Sequence, residues 1–96
     1  MLNKYESIYV VNPNVEGEAM KGIVEKFNTL IETEGGKVAE TQEWGLKKLA
    51  YPIKKFEQGY YVLVNFEANP EFINELERVY KITDSVLKFI TIRKED

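Results

Sequence analysis

The hydrophobic pattern of this chain switches between a period of two and a period near 3.6, the spacings of strand and helix. Residues 4–11 are rich in β-branched and aromatic side chains and predict a first strand. One face holds Tyr5, Ser7, Tyr9 and Val11; the other holds Lys4, Glu6, Ile8 and Val10, and its charges mark it as the open face. Asn12, Pro13 and Asn14 form a turn. Met20, Ile23, Val24, Phe27, Leu30 and Ile31 then make a stripe at helical spacing, so a helix starts near residues 15–17. Glu16 and Glu18 suit the positive end of its dipole, and Glu25 and Glu32 face outward. Gly35-Gly36 ends the helix with a left-handed cap.

Residues 38–53 predict a long, irregular strand. Pro52 cannot donate to a β ladder, which puts the strand at a sheet edge. Gly45 within it signals a bulge or bend. A turn at 56–59 leads into a strand over 60–67, where Asn65 and Glu67 mark the open face. Val62, Val64 and Phe66 therefore go inward, and Tyr61 and Leu63 join Ile8 and Val10 outside. Asn69, Pro70 and Glu71 are a helix start: cap, first-turn proline and first-turn acid. Phe72, Ile73, Leu76, Val79 and Tyr80 line that helix's buried side until Asp84 and Ser85 break the run. Residues 86–93 give a last strand with apolar side chains in both registers, so its facing stays open. Lys94, Glu95 and Asp96 form a charged tail.

The order β-α-β-β-α-β with right-handed crossovers has one compact solution, the split βαβ sandwich: an α+β domain over residues 1–96 with four antiparallel strands and two helices on one face. The first and third strands are central and the second is an edge, the place Pro52 reached independently. The helix-free face then carries a cluster of Ile8, Val10, Tyr61 and Leu63. It is a candidate surface for a protein partner; self-association or simple exposure are the other readings.

Charge sharpens the picture. Residues 1–43 hold four Lys against eight Glu, and residues 56–96 hold five basic against eight acidic side chains. Between them, residues 44–55 carry Lys47, Lys48, Lys54 and Lys55 with no acid, beside Trp44 and Tyr51. A basic island in a chain of net charge −3 points to a localised anion partner. Lysines on an edge strand also guard it against pairing with another chain, and spacing alone leaves both readings open.

Several classes drop out. No apolar run approaches the roughly 18 residues of a membrane span, and residues 1–6 lack the apolar core of a signal peptide. Cysteine and histidine are absent. Thiolate chemistry, the commonest general base and the commonest zinc ligand go with them, and a cytosolic address fits. No paired acids, nucleophile–base set, metal cluster or cofactor motif is visible. An acyl-phosphate enzyme on such a fold needs a backbone phosphate cradle after the first strand, where Pro13 removes an N–H and Glu16 adds a carboxylate. No enzyme activity, cofactor or small-molecule substrate is expected.

Trp44-Gly45, the run Leu49-Ala50-Tyr51-Pro52-Ile53 with Lys55, and Gly59-Tyr60 resemble the bacterial small-subunit ribosomal protein number six family. Tyr5-Glu6, Asn12-Pro13-Asn14 and the length match as well, so the resemblance spans essentially the whole chain. It implies a ferredoxin-like fold, a seat on the central domain of 16S ribosomal RNA, and a heterodimer with small-subunit protein number eighteen. Carried onto this sequence, RNA contact falls on Lys47, Lys48, Tyr51, Lys54 and Lys55, with Lys4 as a further candidate. Trp44 or Tyr51 would stack on an unpaired base or ribose. Leu46 departs from the family, where that place is often basic, and the long acidic tail of many relatives stops here at Asp96. The alternative is an RNA recognition motif acting alone, suggested by residues 8–12. Its third-strand pattern fails, because Val62 stands where a stacking aromatic belongs and Tyr9 is expected to point into the core.

Overall fold

In the computed structural model, which describes residues 2–15 and 17–94, the elements run β1 (Asn3–Val11), α1 (Glu18–Thr33), β2 (Lys37–Ile53), β3 (Phe56–Ala68), α2 (Pro70–Ile82) and β4 (Val86–Arg93). The four strands form one antiparallel sheet in the order β2-β3-β1-β4. This is the ferredoxin-like split sandwich, with β2 at the edge that Pro52 demanded. The expectations for Glu16, Glu95 and Asp96 lie outside the described residues.

Local chemistry sets the helix ends. Gly17 (φ 56°) precedes α1 and its carbonyl accepts from Met20 N at 3.1 Å. After Thr33 the chain turns back through Gly35 at φ 89°, and Gly36 N donates to Ile31 O at 2.9 Å. This is the left-handed cap, at the first glycine of the pair. Pro70 occupies the first turn of α2, where its missing N–H costs nothing, and Phe72 N donates to Asn69 O at 3.0 Å.

One core lies between the sheet and the helices. Tyr5, Tyr9 and Val11 of β1, Val62, Val64 and Phe66 of β3, and Val86 of β4 meet Met20, Val24, Phe27 and Ile31 of α1 and Phe72, Leu76, Val79 and Tyr80 of α2. Three rings join the layers: Tyr9–Phe27 at 5.0 Å, Tyr9–Tyr80 at 5.3 Å and Phe27–Tyr80 at 4.7 Å between centroids. Ser7, a buried polar residue beneath them, is hydrogen-bonded to the Tyr80 hydroxyl at 2.9 Å and to Thr91 Oγ1 at 3.1 Å.

Two expectations change. The turn expected at 56–59 lies at Lys54-Lys55, between the paired residues Ile53 and Phe56, with φ 49° and 73°. Gly59 had suggested the turn, but it sits within β3, directly beneath Val10. The open face is also less bare than its pattern implied. Val10 and Leu63 face away from the helices as expected, yet both are buried. The β2–β3 hairpin curls over this face, and Leu49 near its end packs against the Val10–Gly59 contact. Ile8 and Tyr61 stay partly exposed. β4 resolves its ambiguity by register: Phe89 and Thr91 pair with Tyr9 and Ser7 on the helix side, while Lys88, Ile90 and Ile92 join Val10, Ile8 and Glu6 on the open face.

Candidate nucleic-acid interface

β2 and β3 are the longest strands, of 17 and 13 residues, and together they project as a hairpin past the end of β1. Two irregularities shape this arm. At its base the register slips between Glu43 and Gly45, and Gly45 takes φ 85°, a bulge that only glycine adopts without strain. Farther out the pairing steps from Lys48 opposite Gln58 to Ile53 opposite Phe56. Leu49, Ala50, Tyr51 and Pro52 therefore bulge opposite Glu57 alone. Pro52 has no N–H to give a ladder here, so the break costs little.

The bulge at Gly45 turns Trp44 onto the open face. Its ring stacks on Tyr61 at 6.5 Å with a 12° interplanar angle, and its Nε1 donates to Gln42 Oε1 at 3.0 Å. The Lys47 ammonium stands 5.1 Å from the centre of the Trp44 ring. Trp44 is thus a stacked platform, 41% exposed, with a cation held against it. Lys47 pairs with Gly59 and shares the open face; Lys48 pairs with Gln58 and points to the other side. Lys54 and Lys55 form the tip, and all four lysines are exposed. Tyr51 is 59% exposed, and the Lys88 ammonium lies 5.5 Å from its ring centre.

The fold therefore gathers Trp44, Lys47, Lys48, Tyr51, Lys54 and Lys55 on one arm. It does not bring Lys4 to them: Lys4 opens β1 opposite Glu67, at the far end of the sheet. Sequence reasoning missed Lys88, which reaches the arm from β4, and the exposed Ile90 and Ile92 beside Ile8. The signal that could have found them was the pairing of β4 with β1, which the two-sided apolar pattern of 86–93 concealed. The platform of an RNA recognition motif does not form, since Tyr9 and Val62 are both fully buried on the helix side.

On that helix side, at the base of the arm, Pro13, Val15, Met20, Lys21, Glu43, Leu46 and Tyr60 surround a cleft of about 350 Å³. Its carboxylate is already engaged: the Tyr60 hydroxyl donates to Glu43 Oε1 at 2.9 Å, which raises the tyrosine's pKa. Among the described residues no cluster of His, Cys, Asp and Glu could hold a metal ion, and no helix is long and apolar enough to cross a membrane.

Known proteins share this geometry. The family model described as Ribosomal protein S6 matches residues 4–93. The small ribosomal subunit protein bS6 of Clostridium novyi is 50% identical over 94 residues, covering 98% of this chain and 99% of its own length. Its counterpart in Caldanaerobacter subterraneus is 48% identical, covering 99% and 100%. The crystal structure of 30S ribosomal protein S6 from Thermotoga maritima superposes with a TM-score of 0.92 at 33% identity, over 98% of this chain and 89% of that one. The chain belongs to the ribosomal protein S6 family, the structural, non-enzymatic S6 component of the bacterial small ribosomal subunit.

Proposed function

We propose that the chain seats on the central domain of 16S ribosomal RNA through its β2–β3 arm, jointly with small-subunit protein number eighteen. As a member of its family it resides in the ribosome, in the bacterial cytoplasm. The observation that carries the finer reading is the arm itself: four exposed lysines with no acid between them, on a projecting hairpin that also displays Trp44 and Tyr51. Lysines supply sequence-independent attraction to phosphate, and exposed aromatics accept unstacked bases or riboses.

The need for a partner follows from magnitudes. Four phosphate contacts give a logarithmic salt slope of about −3 to −4, or roughly 50- to 150-fold in affinity between 50 and 200 mM salt. The rest of the chain is acidic and opposes that attraction. A partner supplies what the arm lacks. The surface for it is the apolar strip of Ile8, Ile90 and Ile92 with Tyr61 beside it; Val10 and Leu63 share this face but are buried.

A gel shift on a central-domain 16S fragment tests the reading, run with and without the protein-eighteen partner. Strong binding only in the partner's presence is expected. Equal binding without it would refute joint recognition, and no binding in either arm would refute the RNA reading.

A further inference from the structure

We infer that Lys88 is a positioning residue for RNA binding: from β4 it holds Tyr51, and with it the outer half of the β2–β3 arm, in the conformation presented to RNA. The inference rests on the arm being the RNA-binding element.

The arm needs such a hold. Between the pairs Lys48–Gln58 and Ile53–Phe56 the ladder is interrupted, and residues 49–52 face Glu57 alone. Beyond the gap lies a two-residue turn in which Lys54 and Lys55 both have positive φ, a conformation that side-chain-bearing residues adopt at a cost. A two-stranded ribbon with a broken ladder and an unfavourable turn has little stability of its own. Its outer half must be fixed by side chains reaching the sheet.

Two do so. Leu49 is 6% exposed and packs over Gly59 next to Val10. Two residues farther out, Tyr51 meets the Lys88 ammonium at 5.5 Å. Lys88 pairs with Val10 across β1–β4, so its stem rises from the row on which Leu49 rests. The outermost strand at one edge of the sheet thereby ties down the arm that grows from the other edge. A lysine suits this position, because its long stem crosses the apolar row and its charge meets the ring face.

Four variants test this: Lys88→Gln, Lys88→Arg, Tyr51→Leu and Tyr51→Phe. In the free protein, amide hydrogen exchange across residues 49–57 should rise about two- to fivefold in Lys88→Gln and Tyr51→Leu, the range of an exposed cation–aromatic contact. Lys88→Arg and Tyr51→Phe, which keep the contact, should match the wild type. In Lys88→Gln, RNA affinity with the partner present should fall about two- to fivefold at an unchanged salt slope, and Lys88→Arg should restore it. Unchanged exchange in Lys88→Gln overturns the inference. So does a salt slope shallower by about 0.7–0.9, which would make Lys88 a direct phosphate ligand. A Lys88→Gln chain that binds RNA like the wild type overturns the inference alone, whereas a wild type that fails to bind RNA with its partner overturns the reading on which it rests.

Discussion

Gly59 lies so close beneath Val10 that a β-carbon on it would overlap Val10 Cγ1. Val10 is 2% exposed and β-branched, so it has neither space nor a free rotamer with which to yield. Gly59→Ala should therefore cost about 1–3 kcal/mol in urea unfolding, as overpacking does, and should lift the arm. Gly22 is the control. A β-carbon there meets nothing within 4 Å, on the exposed side of α1, so Gly22→Ala should add about 0.5–1 kcal/mol.

The tip joins two opposed requirements. Lys54 and Lys55 at φ 49° and 73° occupy both central places of a two-residue hairpin turn, where Asn-Gly is the favoured pair. Replacing them by Asn and Gly should raise the thermal midpoint while weakening RNA binding and reducing the salt slope by about 1.4–1.8. A turn with no part in binding would show the first effect without the others.

Burial holds the phenols of Tyr9 and Tyr80 protonated well above their ordinary range; for Tyr9 the neighbouring Tyr80 adds to the effect, and for Tyr80 the Ser7 hydrogen bond opposes it. The folded pKa values exceed the unfolded value of about 10. Their contribution is therefore complete below pH 10 and is lost as pH rises beyond it, by up to about 1.4 kcal/mol per tyrosine per pH unit. Urea midpoints between pH 9 and 12 should fall steeply above 10, and Tyr80→Phe should flatten the fall.

Ile8 and Ile90 face each other across β1–β4 on the open face, and Ile90 is 53% exposed. Ile8→Lys or Ile90→Glu should leave the fold intact and weaken the heterodimer with protein number eighteen about tenfold or more, measured by calorimetry. Unchanged affinity in both variants would move the partner surface elsewhere.

Much of this molecule was legible in its sequence, because one-sided patterns fix strand facing. Lys4 with Glu6, and Asn65 with Glu67, oriented the two central strands correctly. Pro52 announced the edge and Gly45 the bulge. The turn was misplaced because Gly59 looked like punctuation, whereas its missing side chain serves a close approach and two lysines make the turn. The burial of Val10 was hidden for a different reason. It depends on the arm folding back over the sheet, a contact between distant segments that no local period records. Lys88 and the exposed isoleucines of β4 depended on pairing register in the same way.

The most direct test is the salt dependence of RNA binding in the presence of the partner, comparing the wild type with the Lys47→Ala/Lys48→Ala double variant. Both lysines are exposed, and they point to opposite sides of the arm, so the fold should be unaffected. Weaker binding and a logarithmic salt slope shallower by about 1.4–1.8 are expected in the double variant. Unchanged affinity and slope would mean that the basic arm guards a sheet edge and does not carry the RNA.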